Sequence, residues 1–203
     1  MSDNKGLLIV TMEPPAALEE EFNDWYDTEH FPQRRGLPGF ESASRWACLS
    51  GWPRWLALYD LASVSALDTP EYGAVSGANS TPWSRRILPR TVGRSRVVAE
   101  QIAPGDRLSL ASEAVVRLLL VRFPDVPAAR EAAVVQELAG QGAGPLRPLQ
   151  LRLFRGAAKA GAELWVIAEF GRPVMIGPLA DAFGEAAGIG ATLLNLYAPY
   201  HRG

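Results

Sequence analysis

Apolar and polar positions along this chain run through one order of elements twice. Leu7-Leu8-Ile9-Val10 is a short apolar run rich in strand formers, and Glu13-Pro14-Pro15 breaks it. From Ala16 to Phe31 the period becomes helical. Leu18, Phe22, Trp25 and Glu29 share one stripe, with Tyr26 and His30 beside it. Pro14 and Pro15 suit the approach to a helix start, and Glu19, Glu20 and Glu21 complement its positive end. Pro32, Gly36, Pro38 and Gly39 end the helix. Strands are expected from Phe40 to Leu49 and from Arg54 to Leu61, around the turn Ser50-Gly51-Trp52-Pro53. Asp68-Thr69-Pro70-Glu71 and Ser80-Thr81-Pro82-Trp83 each look like a cap with proline in the first helical turn. A strand from Gly93 to Ile102 follows, giving the order β-α-β-β-α-β.

The order then recurs. Strands are expected from Val115 to Phe123, Leu149 to Arg155, Leu164 to Phe170 and Thr192 to Tyr197. Helices are expected from Pro127 to Ala139 and, more weakly, from Val174 to Ala186. The fold class is therefore α+β: two tandem ferredoxin-like βαββαβ units, residues 1–102 and 113–203, joined by the linker 103–112. A lone unit of this type has helices on one sheet face only. Yet Trp55-Ala57-Tyr59 and the intervening Leu56-Leu58 are apolar on both faces, as are Leu164 to Ile167. Each sheet therefore needs a second cover. Packing the two sheets together supplies it, as a pseudo-dimeric α/β barrel with antiparallel sheets.

The segment Phe22-x-x-Trp25-Tyr26-x-x-Glu29-His30-x-Pro32, then Leu37-Pro38-Gly39-Phe40, resembles the EthD-like branch of the dimeric α/β-barrel superfamily. Leu67-Asp68-Thr69-Pro70-Glu71-Tyr72 resembles the start of that branch's second helix. The match covers most of residues 5 to 102. The second half agrees in order of elements but has Arg130 to Glu137 where the Trp-x-x-x-Glu-His segment would fall. The resemblance implies a barrel built by tandem duplication where relatives use two chains. It also implies a cavity between sheet and helices that holds a small, often aromatic molecule. Relatives include cofactor-free monooxygenases, cyclases and isomerases. Haem-binding relatives with tandem units also exist, but no histidine stands on a second-half helix here.

Composition narrows the partners. The formal net charge of -2 gives no general attraction to nucleic acid or an anionic membrane. The single cysteine, Cys48, allows no internal disulfide framework and reads as a buried small hydrophobe. No targeting signal or membrane-length apolar run is visible, so a cytoplasmic location is expected. Two distant histidines and one cysteine form no metal cluster, and no phosphate loop or other cofactor motif is present. Neither a metal nor a cofactor is expected. A homodimer paired through exposed sheet edges is compatible with this layout.

The candidate chemistry lies in the first half. His30 suits general acid/base work, with Asp27 or Glu29 to orient it and Tyr26 to polarise a carbonyl. It equally suits a helix end, where it would donate to terminal carbonyls. Arg45 could hold a carboxylate or an enolate, or instead reach solvent or pair with Asp60 across the hairpin. Trp25, Trp46, Trp55, Tyr59 and Tyr72 crowd this half and could floor a pocket for a flat ligand or fill a core. The expected function is a cofactor-independent enzyme acting by proton transfer on a small aromatic or carbonyl compound. Cyclisation, isomerisation and decarboxylation are the reaction types in view. The alternative is a non-catalytic binding or structural protein. His201 in the tail is assigned no role.

Overall fold

A computed structural model describes residues 4–157 and 161–201. Eight long strands close into one antiparallel barrel. They are β1 (Gly6–Glu13), β2 (Phe40–Ser50), β3 (Trp55–Leu61), β4 (Val92–Ala103), β5 (Arg117–Val126), β6 (Gln150–Gly156), β7 (Ala162–Phe170) and β10 (Leu193–Pro199). The first half contributes the neighbours β2-β3-β1-β4, and the second repeats that order as β6-β7-β5-β10. The two half-barrels join along β2 against β10 and β4 against β6. This is the expected pseudo-dimeric arrangement of two βαββαβ units. Among the described residues each of the eight strands has a neighbour on both sides, so edge pairing with a second chain is confined to strand segments that extend past their neighbours, such as the start of β4.

Alternation along each strand sorts side chains into layers. Leu7, Ile9, Trp46, Leu56, Leu58, Leu118, Leu120, Phe154 and Trp165 point into the barrel. Leu8, Met12, Trp55, Ala57, Tyr59 and Leu61 point outward to the helices of the first half. All seven residues of β3 are buried, because both its faces are covered. In the second half, α5 (Ala128–Gly140) and α6 (Ile176–Phe183) cover the sheet through Val134, Leu138, Leu179 and Phe183. The weak helix expected to reach Ala186 stops at Phe183. Beyond it Glu185–Ala186 (β8) and Ile189–Gly190 (β9) form a small ribbon, turned by Ala187 and Gly188, both at positive φ.

The segment expected to be a plain linker caps one end of the barrel. Asp60, Arg152, Gln150 and Glu169 face inward there, all buried. Arg152 donates to Asp60 at 2.6 Å and to Ser109 Oγ at 2.7 Å. The Ser109 N–H donates to Asp60 and the Leu110 N–H to Glu169, while Gln150 donates to both the Leu108 carbonyl and Glu169. Buried charges persist when paired and hydrogen-bonded, and the linker backbone supplies several of the bonds, although the Arg152 Nε has none. The Asp60 carboxyl is held below its usual range. Burial pushes it upward, but Arg152 and the donors Ser42 and Ser109 together outweigh that.

Among the described residues no helix is long and apolar enough to cross a membrane. Cys48 is half-buried against the barrel core, and burial pushes its thiol up, away from nucleophilic character.

Candidate functional site

The helix expected over Ala16 to Phe31 is longer and is interrupted. Ala16–Leu18 forms a tight first turn, and α1 runs Glu19–Trp25. A π-helical turn spans Tyr26–His30, and α2 continues Phe31–Arg35. The Phe31 N–H donates five residues back, to the Tyr26 carbonyl. Pro32 gives the physical reason. It has no N–H to donate, and its ring crowds the carbonyl four residues before it, so the preceding turn widens. Thr28 adds a hydroxyl bond to the Asp24 carbonyl in the same stretch. Widening turns both Tyr26 and His30 towards the core, with their rings 5.2 Å apart. The His30 ring also lies 4.5 Å from that of Trp25.

A cavity of about 280 Å³ opens between this turn, the outward face of the sheet and the segment before α4 (Pro82–Ile87). Its floor is Leu8, Val10, Met12 and Leu88. Its polar wall is His30, Arg34, Tyr59, Tyr72, Arg94 and Arg96. Two of these residues each carry a buried atom with no aligned hydrogen-bond partner: Nδ1 of His30 and Oη of Tyr59. Tyr59 Oη is within reach of the Tyr26 phenol but without an aligned partner. Burial raises both phenols, Tyr59 well above its ordinary value, and Arg34 and Arg45 act to lower them.

The ten residues singled out by sequence do not all meet here. His30, Tyr59 and Tyr72 line the cavity, and Tyr26 lies one layer behind. Trp25 supports the His30 ring from below and donates to Ser84 of α4 at 3.1 Å. Trp46 points into the barrel and belongs to its core.

The carboxylates expected to orient His30 are engaged elsewhere. Asp27 pairs with Arg45, and Glu29 accepts from the Thr81 hydroxyl, which caps α4. Arg45 neither reaches solvent nor meets Asp60. Its Cα partner across the hairpin is Ala57. It lies on the helix side with Trp55, whereas Asp60 lies inside the barrel. There Arg45 donates to Asp27 and Asn23, under the rings of Phe22, Tyr26, Trp55 and Tyr200. His201 lines a larger, more polar cleft of about 530 Å³ near Arg45, Glu41 and the linker.

Sequence reasoning missed Arg34, Arg94 and Arg96. The signals were present: Arg34 follows His30 by one helical turn, and Arg94 and Arg96 alternate with Ser95 on one strand face. Arg34 is 6 % exposed. It donates to the Val75 carbonyl at 2.7 Å and to Gln33, with its guanidinium 5.4 Å from the centre of the Tyr72 ring.

Burial and the cations Arg34 and Arg45 hold the His30 imidazole down to about 3, so it stays neutral across the physiological range. An unfolded His30 titrates near its ordinary value. Below that value the unfolded chain binds a proton that the folded chain does not, so stability falls as pH drops from about 6.5 towards 3. The slope is at most about 1.4 kcal/mol per pH unit. Allowing for the partly solvated ring, His30→Gln should remove about 2 kcal/mol of the stability lost between pH 7 and pH 4.5. Urea unfolding of both proteins at the two pH values measures this, and equal losses would contradict a neutral His30.

No family model and no curated protein matches the sequence. Solved structures do. The chain superposes on an anthrone oxidase-like protein with TM-score 0.59 at 12 % identity, covering 98 % of this chain and 92 % of that one. On a chlorite dismutase variant from Candidatus Nitrospira defluvii the values are 0.61 and 11 %, with 98 % and 93 % covered. A monooxygenase-like protein from Fusobacterium nucleatum gives 0.57 and 9 %, with both chains covered in full. The chain has the dimeric α/β-barrel fold. At such identities the likeness extends to the fold and leaves the chemistry to the residues of this chain.

Proposed function

We propose that the first half of the chain holds a small, largely apolar carbonyl compound in the His30 cavity and moves a proton on it without a bound prosthetic group. The carrying observation is that a neutral imidazole, His30, and a phenol, Tyr59, line one cavity with an apolar floor. His30 takes a proton from the carbon next to the carbonyl. The electron pair moves onto the carbonyl oxygen, and Tyr59 donates to the enolate so formed. Where a carbon–carbon double bond lies next to that carbon, return of the proton to the far end of the resulting dienolate shifts the double bond and completes an isomerisation. Tyr26 serves behind Tyr59 as a positioning residue.

The donor set does not suit a metal ion, because Arg34, Arg94 and Arg96 crowd the histidine. No cluster of three potential ligands occurs among the described residues. Nor does the second half suit an iron porphyrin: its helix–sheet layer is filled by apolar side chains, and α5 carries no histidine.

Deuterium uptake from D2O into 2-tetralone and phenylpyruvate, followed by NMR, tests the proposal. His30→Ala should slow the exchange about a hundredfold while ligand binding changes little. Exchange at the wild-type rate in that variant would refute the assignment. The low basicity of His30 favours one second reading, a binding protein without turnover, since an imidazole held down to about 3 is a weak base. Saturable binding with no exchange in the wild-type protein would establish it.

A further inference from the structure

The three arginines of the cavity have no acidic counterpart. Of the ion pairs formed by arginines among the described residues, each involves Arg45, Arg54, Arg86, Arg122, Arg152 or Arg155. Arg34, Arg94 and Arg96 are in none. No aspartate or glutamate lines the cavity either.

For exposed Arg94 and Arg96 an unpaired charge costs little, since water solvates it. Arg34 is different. It is buried, its fork is anchored by one carbonyl and one amide oxygen, and nothing negative faces it. A buried cation is ordinarily paired, and the Asp60–Arg152 pair shows this chain doing so elsewhere. Tyr72 organises the cluster. Its ring lies 5.4 Å from the Arg34 guanidinium, its hydroxyl accepts from Arg96 at 3.1 Å, and Phe40 stacks on it at 5.9 Å. Both guanidiniums are thus held against the same ring, 5.4 Å and 6.0 Å from its centre, at the polar end of a cavity whose floor is apolar. That is a built receptor for a molecule with one flat apolar part and one negative end.

We propose that the cavity takes a small aromatic or enolic carboxylate, its carboxylate on Arg34 and Arg96 and its ring over Leu8, Val10 and Met12. Arg94 adds charge at the rim. The volume of about 280 Å³ is at the small end for ligand pockets and suits one or two rings. This assignment rests on the reading of the His30 cavity as a ligand site and adds the charge class of the ligand. It also bears on His30. Burial is the main cause that holds the imidazole down, and an anion beside it would offset only the smaller share that Arg34 contributes.

The test is calorimetric binding of 2-naphthoate against 2-naphthamide, which has the same shape without the charge. The carboxylate should bind at least about tenfold more tightly, and less tightly as salt is raised. Arg96→Met should lose about tenfold in affinity for the carboxylate and almost nothing for the amide; Arg34→Met should lose more. Arg96 is exposed, so that variant keeps the fold and decides the matter even where Arg34→Met does not. Equal affinity for acid and amide would overturn the proposal. So would carboxylate binding that ignores both substitutions, or the absence of binding at millimolar ligand. His30→Ala separates the two readings. Carboxylate binding that survives it alongside lost deuterium exchange supports both. Binding without exchange in the wild-type protein supports the anion site while ending the proton-transfer reading.

Discussion

Replacing Asp60 by alanine is expected to destabilise the protein by about 3–5 kcal/mol, the cost of leaving a buried cation without its partner. Arg152 is fully buried, and Asp60 is the carboxylate it reaches, at 2.6 Å. Asp60 also accepts from Ser42 and from the Ser109 backbone, so its loss frees the linker from the barrel end as well. Changing both members, Asp60→Leu with Arg152→Met, should recover most of the loss, because a well-packed apolar pair carries no desolvation cost. Urea unfolding of the two single variants and the double variant forms the cycle. Losses that simply add would mean the pair is not coupled and that the linker is held by other contacts. The single Asp60 variant should also lack part of the acid sensitivity of the wild type. The native carboxyl is held low, so its contribution disappears as falling pH protonates it.

Arg45→Ala is expected to be nearly as damaging, at about 3 kcal/mol or more. The guanidinium lies 4.3 Å from the ring centre of Tyr26, 4.6 Å from Tyr200, 5.2 Å from Trp55 and 5.9 Å from Phe22, while its fork binds Asp27 and Asn23. Each cation–ring contact contributes about 0.5–2 kcal/mol, and the carboxylate left behind would be poorly solvated. Arg45→Lys should recover little, since an ammonium cannot bind Asp27 and Asn23 in parallel or lie flat among rings. Thermal melting of both variants checks this. A lysine variant as stable as wild type would mean that charge alone matters there.

Much of the architecture was legible, because periodicity and two-faced burial are local signals. Trp55 to Leu61 reads as a doubly covered strand without any knowledge of its neighbours, and β3 is one. The site was less legible, because its geometry depends on residues far apart. Arg45 and Asp60 are within reach of each other in a simple hairpin drawing, yet the observed register and strand alternation send one to the helices and the other into the barrel. Asp27 and Glu29 are close to His30 in sequence, but the π turn that swings His30 inward leaves them to Arg45 and Thr81. A helical-period count has no way to place that turn, although Pro32 was visible as its cause. Nor does the linker's composition reveal its partners, which lie on β3, β6 and β7.

The helix-covered layers of the two halves are filled differently. A barrel assembled from two identical chains duplicates every helix-covered cavity by symmetry. Here the second half packs Val134, Leu138, Leu179 and Phe183 into the space that the first half leaves open beside His30. Two halves carried on one chain need not match each other. On the proposed reading, a ligand in the His30 cavity would therefore bind with a stoichiometry of one per barrel.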